Sequence, residues 1–141
     1  MDLKLEVVVL PVADADRSKA FYEGDLGWRL DADIALSDSV RIVQLTPPGS
    51  PCSIHFGTGL TSAEPGSCQN TYLIVEDVEE ARSQLIEKGA EVGEVFHRED
   101  GEEVTGPAPD RATYGSFARF SDPDGNSWLL QEITERLPGR E

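Results

Sequence analysis

Val7-Val8-Val9-Leu10-Pro11-Val12-Ala13-Asp14 is a β-rich run that ends on an aspartate, and Tyr72-Leu73-Ile74-Val75-Glu76-Asp77 is a second one. A helical pattern follows each. Val12 answers Val75 and Asp14 answers Asp77 at one offset, so the chain repeats itself, and a repeat governs the fold before any other feature. Asp77 can accept from the free N–H groups of a helix N-terminus, with Glu80 three residues on as the partner of a capping-box pair. Val78, Ala81, Leu85 and Ile86 recur at helical spacing, and Lys88-Gly89 supplies a cation-then-glycine stop. The segment after Asp14 is a near copy. Asp16 lies in its first turn, Ala20 and Phe21 fall on the predicted buried side, and Leu26-Gly27 ends it.

Strands follow each helix. Trp28-Arg29-Leu30-Asp31-Ala32-Asp33-Ile34 places apolar residues at every even position, the pattern of a strand with one face in a core and one in water. Val40 to Leu45 and Ser53 to Phe56 are two more, separated by Thr46-Pro47-Pro48-Gly49-Ser50. In the second half the counterparts are Glu91 to Phe96, Ser116 to Phe120 and Ser127 to Ile133. Ser121-Asp122-Pro123-Asp124-Gly125-Asn126 separates the last two. Proline fixes φ and the following glycine permits positive φ, so both connections predict tight reversals. Each half therefore reads strand, helix, three strands. This predicts an α+β fold of two tandem βαβββ modules within a single domain over residues 1–141. Module 1 spans about residues 4–56, a linker 57–69, module 2 about 70–134, and a tail 135–141. Residues 97–115 are polar and read as a long loop, a lid or flap. His97, beside Arg98, Glu99 and Asp100, reads as solvated there.

Composition narrows the function. Acidic residues outnumber basic ones 27 to 12, a net charge of −15, and no Lys/Arg cluster offsets it, so a nucleic-acid partner is excluded. The longest apolar runs are too short to cross a bilayer, which excludes a membrane span. Met1-Asp2-Leu3-Lys4-Leu5-Glu6 lacks the features of a secretion signal, and a cytoplasmic location is the expectation. Cys52 and Cys68 form no CxxC pair and adjoin no histidine, so they read as reduced, structural thiols.

Leu10-Pro11-Val12-Ala13-Asp14, Arg17-Ser18-Lys19-Ala20-Phe21-Tyr22 and Leu26-Gly27-Trp28 together resemble the opening of the vicinal oxygen chelate superfamily of glyoxalases, bleomycin-resistance proteins and ring-cleaving dioxygenases. Phe120-Ser121-Asp122-Pro123-Asp124-Gly125-Asn126 is similar to its closing turn, and Glu76-Asp77-Val78-Glu79-Glu80-Ala81 to the start of its second module. The resemblance covers about residues 4 to 134. It implies a cupped mixed sheet around a cavity, a small-molecule ligand and a homodimer.

Enzymes of that superfamily hold a divalent metal with His, Glu or Gln side chains from the first and last strands of each half. Carried onto this chain, the resemblance puts Val7 and Asn70 at the first-strand positions and Leu129 at the last-strand position of module 2. In module 1 it gives either Ser53 or His55, two residues apart and on one face. Valine and leucine have no electron pair to give a metal, and a lone histidine makes no chelate, so no metal site and no cofactor are predicted. Tyr72 and Gln131 share the parity of Asn70 and Leu129, whereas Glu132 points away. Tyr114 is placed to bring a phenol to the cavity mouth. Val7, Ser53, His55, Asn70, Tyr72, Tyr114, Leu129 and Gln131 thus make up the candidate ligand-binding cavity, apolar walls with a few polar groups. Three functions stay open at this point. One is a metal-free small-molecule binder. Another is a lyase, isomerase or dioxygenase-type enzyme with an atypical site and His55 as catalytic base. The third is a non-catalytic interaction module whose cavity is filled.

Overall fold

The computed structural model describes residues 1–140. The chain forms two compact units, Met1–Cys68 with Asp122–Asn126, and Gln69–Ser121 with the chain from Ser127 onward. As predicted, it is a mixed α+β chain with few helices, and it carries one four-stranded and one five-stranded sheet. Among the described residues no helix is long and apolar enough to cross a membrane.

In the first unit β1 (Val7–Val9) leads to α1 (Ala15–Lys19) and a π-helical turn (Ala20–Asp25), followed by β2 (Arg29–Ser37), β3 (Val40–Thr46) and β4 (Ser53–Thr58). The sheet order is β1-β4-β3-β2, with β1 parallel to β4 and the other pairs antiparallel. Asp14 caps α1 by accepting from the Arg17 amide at 3.1 Å. Beyond Lys19 the turn widens, the Leu26 amide donating five residues back to the Phe21 carbonyl. That widening turns a different side inward from the one α-helical spacing predicts. Ala20 is exposed and Phe21 half-buried, while Tyr22 is fully buried. The Tyr22 ring lies 5.0 Å from Trp28 and 5.8 Å from Phe56, and with Val43, Leu45 and Ile54 it forms the core on the helix side of the sheet.

β2 departs from its strict alternation. Leu30 pairs with Leu45 and Ala32 with Gln44, leaving Asp31 as an extra residue in a β-bulge. One inserted residue reverses the facing of everything after it. Leu30 stays on the helix side, but Ala32 and Ile34 turn to the opposite face, and Ile34 is 49% exposed.

Asp122–Asn126, which joins the last two strands, belongs to this first unit. Asp122 is buried. Its carboxylate accepts from the Tyr22 hydroxyl at 2.8 Å, from the Asp124 and Asn126 amides at 2.9 and 3.0 Å, and from Asn126 Nδ2 at 2.9 Å. Asn126 Nδ2 also donates to the Pro11 carbonyl.

The second unit contains β5 (Thr71–Val75), α2 (Val78–Glu87), β6 (Phe96–Glu99), β7 (Glu102–Thr105), a 3-10 turn (Pro109–Arg111), β8 (Phe117–Ser121) and β9 (Ser127–Glu132). Its sheet order is β5-β9-β8-β6-β7, with β5 parallel to β9. Asp77 caps α2, accepting from the amides of Glu79 and Glu80. The Glu80 carboxylate does not close the capping box. It accepts instead from Gln84 one turn on.

Two predictions fail in this unit. Of Glu91 to Phe96 only Val92 bridges, to Phe120, and the ladder begins at Phe96. The polar stretch from residue 97 is a β-hairpin, not a loop. Asp100 and Gly101 have φ of 52° and 81°, the paired positive values of a two-residue hairpin turn. His97 is consequently buried, its Nδ1 2.8 Å from the Gly106 carbonyl and its Nε2 3.0 Å from Glu99 Oε1. Both partners are acceptors, so both bonds form together only when the ring carries two protons. The Glu99 carboxylate, then the Gly106 carbonyl, raise its pKa from the ordinary 6.5. A raised folded pKa gives stability that is complete below 6.5 and is lost as pH rises through the folded value. The gap in melting temperature between wild type and His97→Gln, measured from pH 5 to 9, narrows toward the alkaline end.

Candidate functional site

Each sheet has a face turned away from its helix. In the first sheet the register sets Val7 beside Ser53 and Val9 beside His55, and Gln44 lies across from His55 on β3. Side chains at paired positions share a face, so these five form one surface. Ser53 and Thr46 are buried and bonded to each other at 2.6 Å, and Thr46 donates to Asp31, which the bulge directs toward this face. The Arg29 guanidinium reaches the same carboxylate at 2.7 Å. The Thr46 hydroxyl, then Arg29, hold the Asp31 carboxyl below the usual carboxylate range. His55 Nε2 lies 2.7 Å from Gln44 Oε1. Sequence reasoning found Val7, Ser53 and His55 here and missed Gln44, Thr46 and Asp31. The alternation that assigned Asp31 to the solvent side was the misleading signal.

In the second sheet the corresponding face carries Tyr72 beside Leu129 and Ile74 beside Gln131, with Phe117 across from Gln131 and Phe96 across from Phe117. Leu129, Phe96 and Phe117 form a buried apolar cluster, and the two rings stack with centroids 5.5 Å apart. The guanidinium carbons of Arg98 and Arg119 lie 5.0 Å from the Phe117 centroid and 5.2 Å from the Phe96 centroid, so two cations roof the cluster. Arg119 donates to Asn70 Oδ1 at 3.1 Å and to Glu103 at 3.3 Å. A cleft of about 360 Å³ opens beside it, lined by Gly93, Glu94, Phe96, Glu103, Thr105 and Arg119. None of these cleft residues was read as a site residue from the sequence. Their signal is the alternation Phe96-x-Arg98 and Phe117-x-Arg119, hidden because the first pair was assigned to a loop.

Two of the sequence-predicted residues are placed differently. Asn70 precedes β5 in a left-handed conformation, φ 57°, and its carboxamide oxygen is held by Arg119. The residue across from Leu129 is therefore Tyr72, two positions further along. The Tyr114 hydroxyl accepts from the Leu137 amide, which ties the phenol to the C-terminal segment. What Tyr114 contributes near the sheet is its carbonyl, which accepts from Gln131 Nε2 at 2.9 Å.

Residues 4–130 match the sequence profile of the Glyoxalase/Bleomycin resistance protein/Dioxygenase superfamily. The chain belongs to that superfamily. Among solved structures, this superfamily member is similar to TnmS3, an antibiotic binding protein from Streptomyces sp. CB03234. They share 28% identity over 94% of this chain and 97% of the other, with a TM-score of 0.72. A glyoxalase/bleomycin resistance protein from the same organism is 29% identical over 92% of this chain and all of its own, with a TM-score of 0.69. A further member from Sphaerobacter thermophilus DSM 20745 is 25% identical over 93% and 98%, with a TM-score of 0.70. No match was found among curated proteins.

Of the residues that the superfamily resemblance puts at ligand positions, Val7, Asn70, Leu129 and either Ser53 or His55, the register sets Val7 beside Ser53 in one sheet, and in the other it sets Tyr72, not Asn70, beside Leu129. Valine and leucine side chains have no electron pair to give a divalent cation, and among the described residues no group of three or more His, Cys, Asp or Glu is gathered to hold one.

Proposed function

We propose that this chain binds a small organic molecule on the open faces of its sheets and does so without a divalent ion. The observation that carries the reading is the strand register that pairs Val7 with Ser53 and Tyr72 with Leu129. Hydrocarbon side chains at Val7 and Leu129 argue against a chelate and suit a mostly apolar pocket with a few placed polar groups. The stacked, cation-capped Phe96 and Phe117 support a ligand with flat unsaturated parts. The name of TnmS3, an antibiotic binding protein, supports taking antibiotics as the first probes. A homodimer forms part of this proposal. Tyr72 and Ile74, 49% and 41% exposed on the edge strand β5, support it, and sedimentation velocity tests it.

The binding test is thermal unfolding of chelator-treated protein against a panel of antibiotics, bleomycin included, and aromatic metabolites. A ligand at a hundredfold excess over its Kd adds about 2.7 kcal/mol, which raises the melting temperature on the order of 8 °C for a chain of this size. A panel that shifts nothing, or shifts only after metal is restored, contradicts the proposal.

The Gln44–His55 hydrogen bond favours one second reading. A histidine oriented through Nε2 presents Nδ1 as a base, and a small carbonyl compound is the substrate class that suits it. If His55→Ala leaves intact any turnover found with such compounds, that role is refuted.

A further inference from the structure

A row of polar side chains crosses the open face of the second sheet. Arg119 on β8 donates through Nε to Asn70 Oδ1 at 3.1 Å and through Nη2 to Glu103 Oε2 at 3.3 Å. Asn70 leads into β5 and Glu103 lies on β7, two strands away on either side in the order β5-β9-β8-β6-β7, roughly 10 Å each way at strand spacing. The arginine therefore lies along the face as a crossbar, with its guanidinium carbon 5.2 Å from the Phe96 centroid. Arg98 approaches the same carboxylate at 4.0 Å and covers Phe117. Beneath them Phe96, Phe117 and Leu129 are buried.

The cover is held weakly. The side chains of Arg98, Glu103 and Arg119 are 42%, 47% and 34% exposed, and ion pairs this open to water contribute little. A guanidinium is planar and poorly hydrated, so it covers a ring as a flat unsaturated ligand would. The space beside the crossbar is built into the strands. Val92 bridges to Phe120 and Phe96 pairs with Phe117, so four steps of one segment lie opposite three of the other, a bulge of one residue. The cleft of about 360 Å³ lined by Gly93, Glu94 and Phe96 opens at that bulge, on the edge of the covered rings.

Resting on the small-molecule reading above, we propose that Arg119 and Arg98 are a lid over the ligand's own place. A flat, uncharged aromatic ring enters at the cleft, swings the Arg119–Glu103 crossbar off into water and lies on Phe96 and Phe117. Without a ligand the lid stays shut, because opening it bares the two rings to water. A bound ring restores the apolar cover while the freed charges are hydrated. The competent state is then a minor, open one, and the apparent affinity is the intrinsic affinity reduced by the open fraction. Whatever loosens the crossbar raises affinity, the opposite of what an arginine clamp on the ligand would give.

Fluorescence titration with acridone, a planar and uncharged tricycle, tests this. Glu103→Gln removes the anion that both arginines share and should tighten binding about two- to fivefold, the worth of exposed ion pairs. Arg119→Ala should tighten it as well. NaCl at about 1 M screens the pairs and should narrow the gap between wild type and Glu103→Gln. In proton NMR, acridone should shift the ring signals of Phe96 and Phe117. Weaker binding in either variant makes the arginines a clamp and overturns the lid. So does unchanged affinity in both variants, ring signals that do not move, or no acridone binding by any of the three proteins. The antibiotic panel is read separately by thermal unfolding, so a hit there alongside any of these results leaves small-molecule binding standing and removes only the lid.

Discussion

Asp122→Ala should lower the free energy of unfolding by about 3–5 kcal/mol, read as a fall in the urea midpoint at unchanged slope. The carboxylate receives four hydrogen bonds, from the Tyr22 hydroxyl, two backbone amides and Asn126 Nδ2. Asn126 Nδ2 retains the Pro11 carbonyl, so its loss is partial. The Tyr22 hydroxyl and the two amides lose this acceptor outright. Each buried donor left without an acceptor costs roughly 1–3 kcal/mol, and some water entry keeps the sum below the simple total. Against a typical stability of about 5–15 kcal/mol this is a large fraction. Asp122→Asn keeps the shape and one acceptor and should cost about 1–2 kcal/mol. Because Tyr22 and Asp122 share a bond, Tyr22→Phe and Asp122→Asn should be non-additive in a double-mutant cycle. Additivity there would show that the bond contributes nothing.

Arg111→Ala should cost about 2–4 kcal/mol, from a different cause. Glu132 lies on the helix side of β9 with its side chain 2% exposed, and Arg111 reaches it with two guanidinium nitrogens while the Val78 amide donates at 3.0 Å. Removing the arginine leaves a buried charge with one backbone donor. The Arg111 side chain is 42% exposed, so the figure sits below that for a fully buried pair. Two consecutive non-glycine residues, Asp110 and Arg111, hold φ of 56° and 51° to bring the guanidinium there, a strained arrangement that the ion pair keeps in place.

The same pair sets an acid limit. The Arg111 hydrogen bonds, outweighing burial, hold the Glu132 carboxyl below its ordinary 4.5. A depressed folded pKa gives stability present above 4.5 and lost as pH falls through the folded value. Wild type should therefore lose this contribution on acidification below about pH 5, whereas Arg111→Ala should lose less over the same window because its carboxylate has little left to protect. Parallel denaturation curves at pH 4 and pH 7 check this. An equal acid loss in both proteins would remove Glu132 from the account.

Much of this was legible in the sequence, and the failures share a cause. The helix caps at Asp14 and Asp77 were readable because a short acidic side chain before an apolar-periodic run has one strong use. The reversal at Asp122–Asn126 was readable because proline and glycine act on their own backbone. What sequence periodicity cannot show is a change of period. The bulge at Asp31 and the π-helical turn at Ala20–Asp25 each shift a face by one position, and neither leaves a signature residue. Asp31, the hub of the polar network, was assigned to solvent for that reason. The β6–β7 hairpin was missed because charge dominated the reading of residues 97–103, although Asp100-Gly101 is a strong two-residue turn signal. Asn70 was misplaced because the repeat was anchored on the caps. Between strand and cap the two halves differ in length, and only strand pairing shows that Tyr72 is the residue across from Leu129.

The central proposal is that this chain takes its ligand without a divalent ion, with hydrocarbon at Val7 and Leu129 and their strand neighbours Ser53 and Tyr72 beside them. The most direct measurement is isothermal titration of chelator-stripped protein with Zn²⁺, Mn²⁺ and Ni²⁺ in turn. The account predicts no saturable heat at one ion per chain and an antibiotic-panel response that is the same with or without chelator. A stoichiometric site for any of the three ions, lost in His55→Ala, would contradict it.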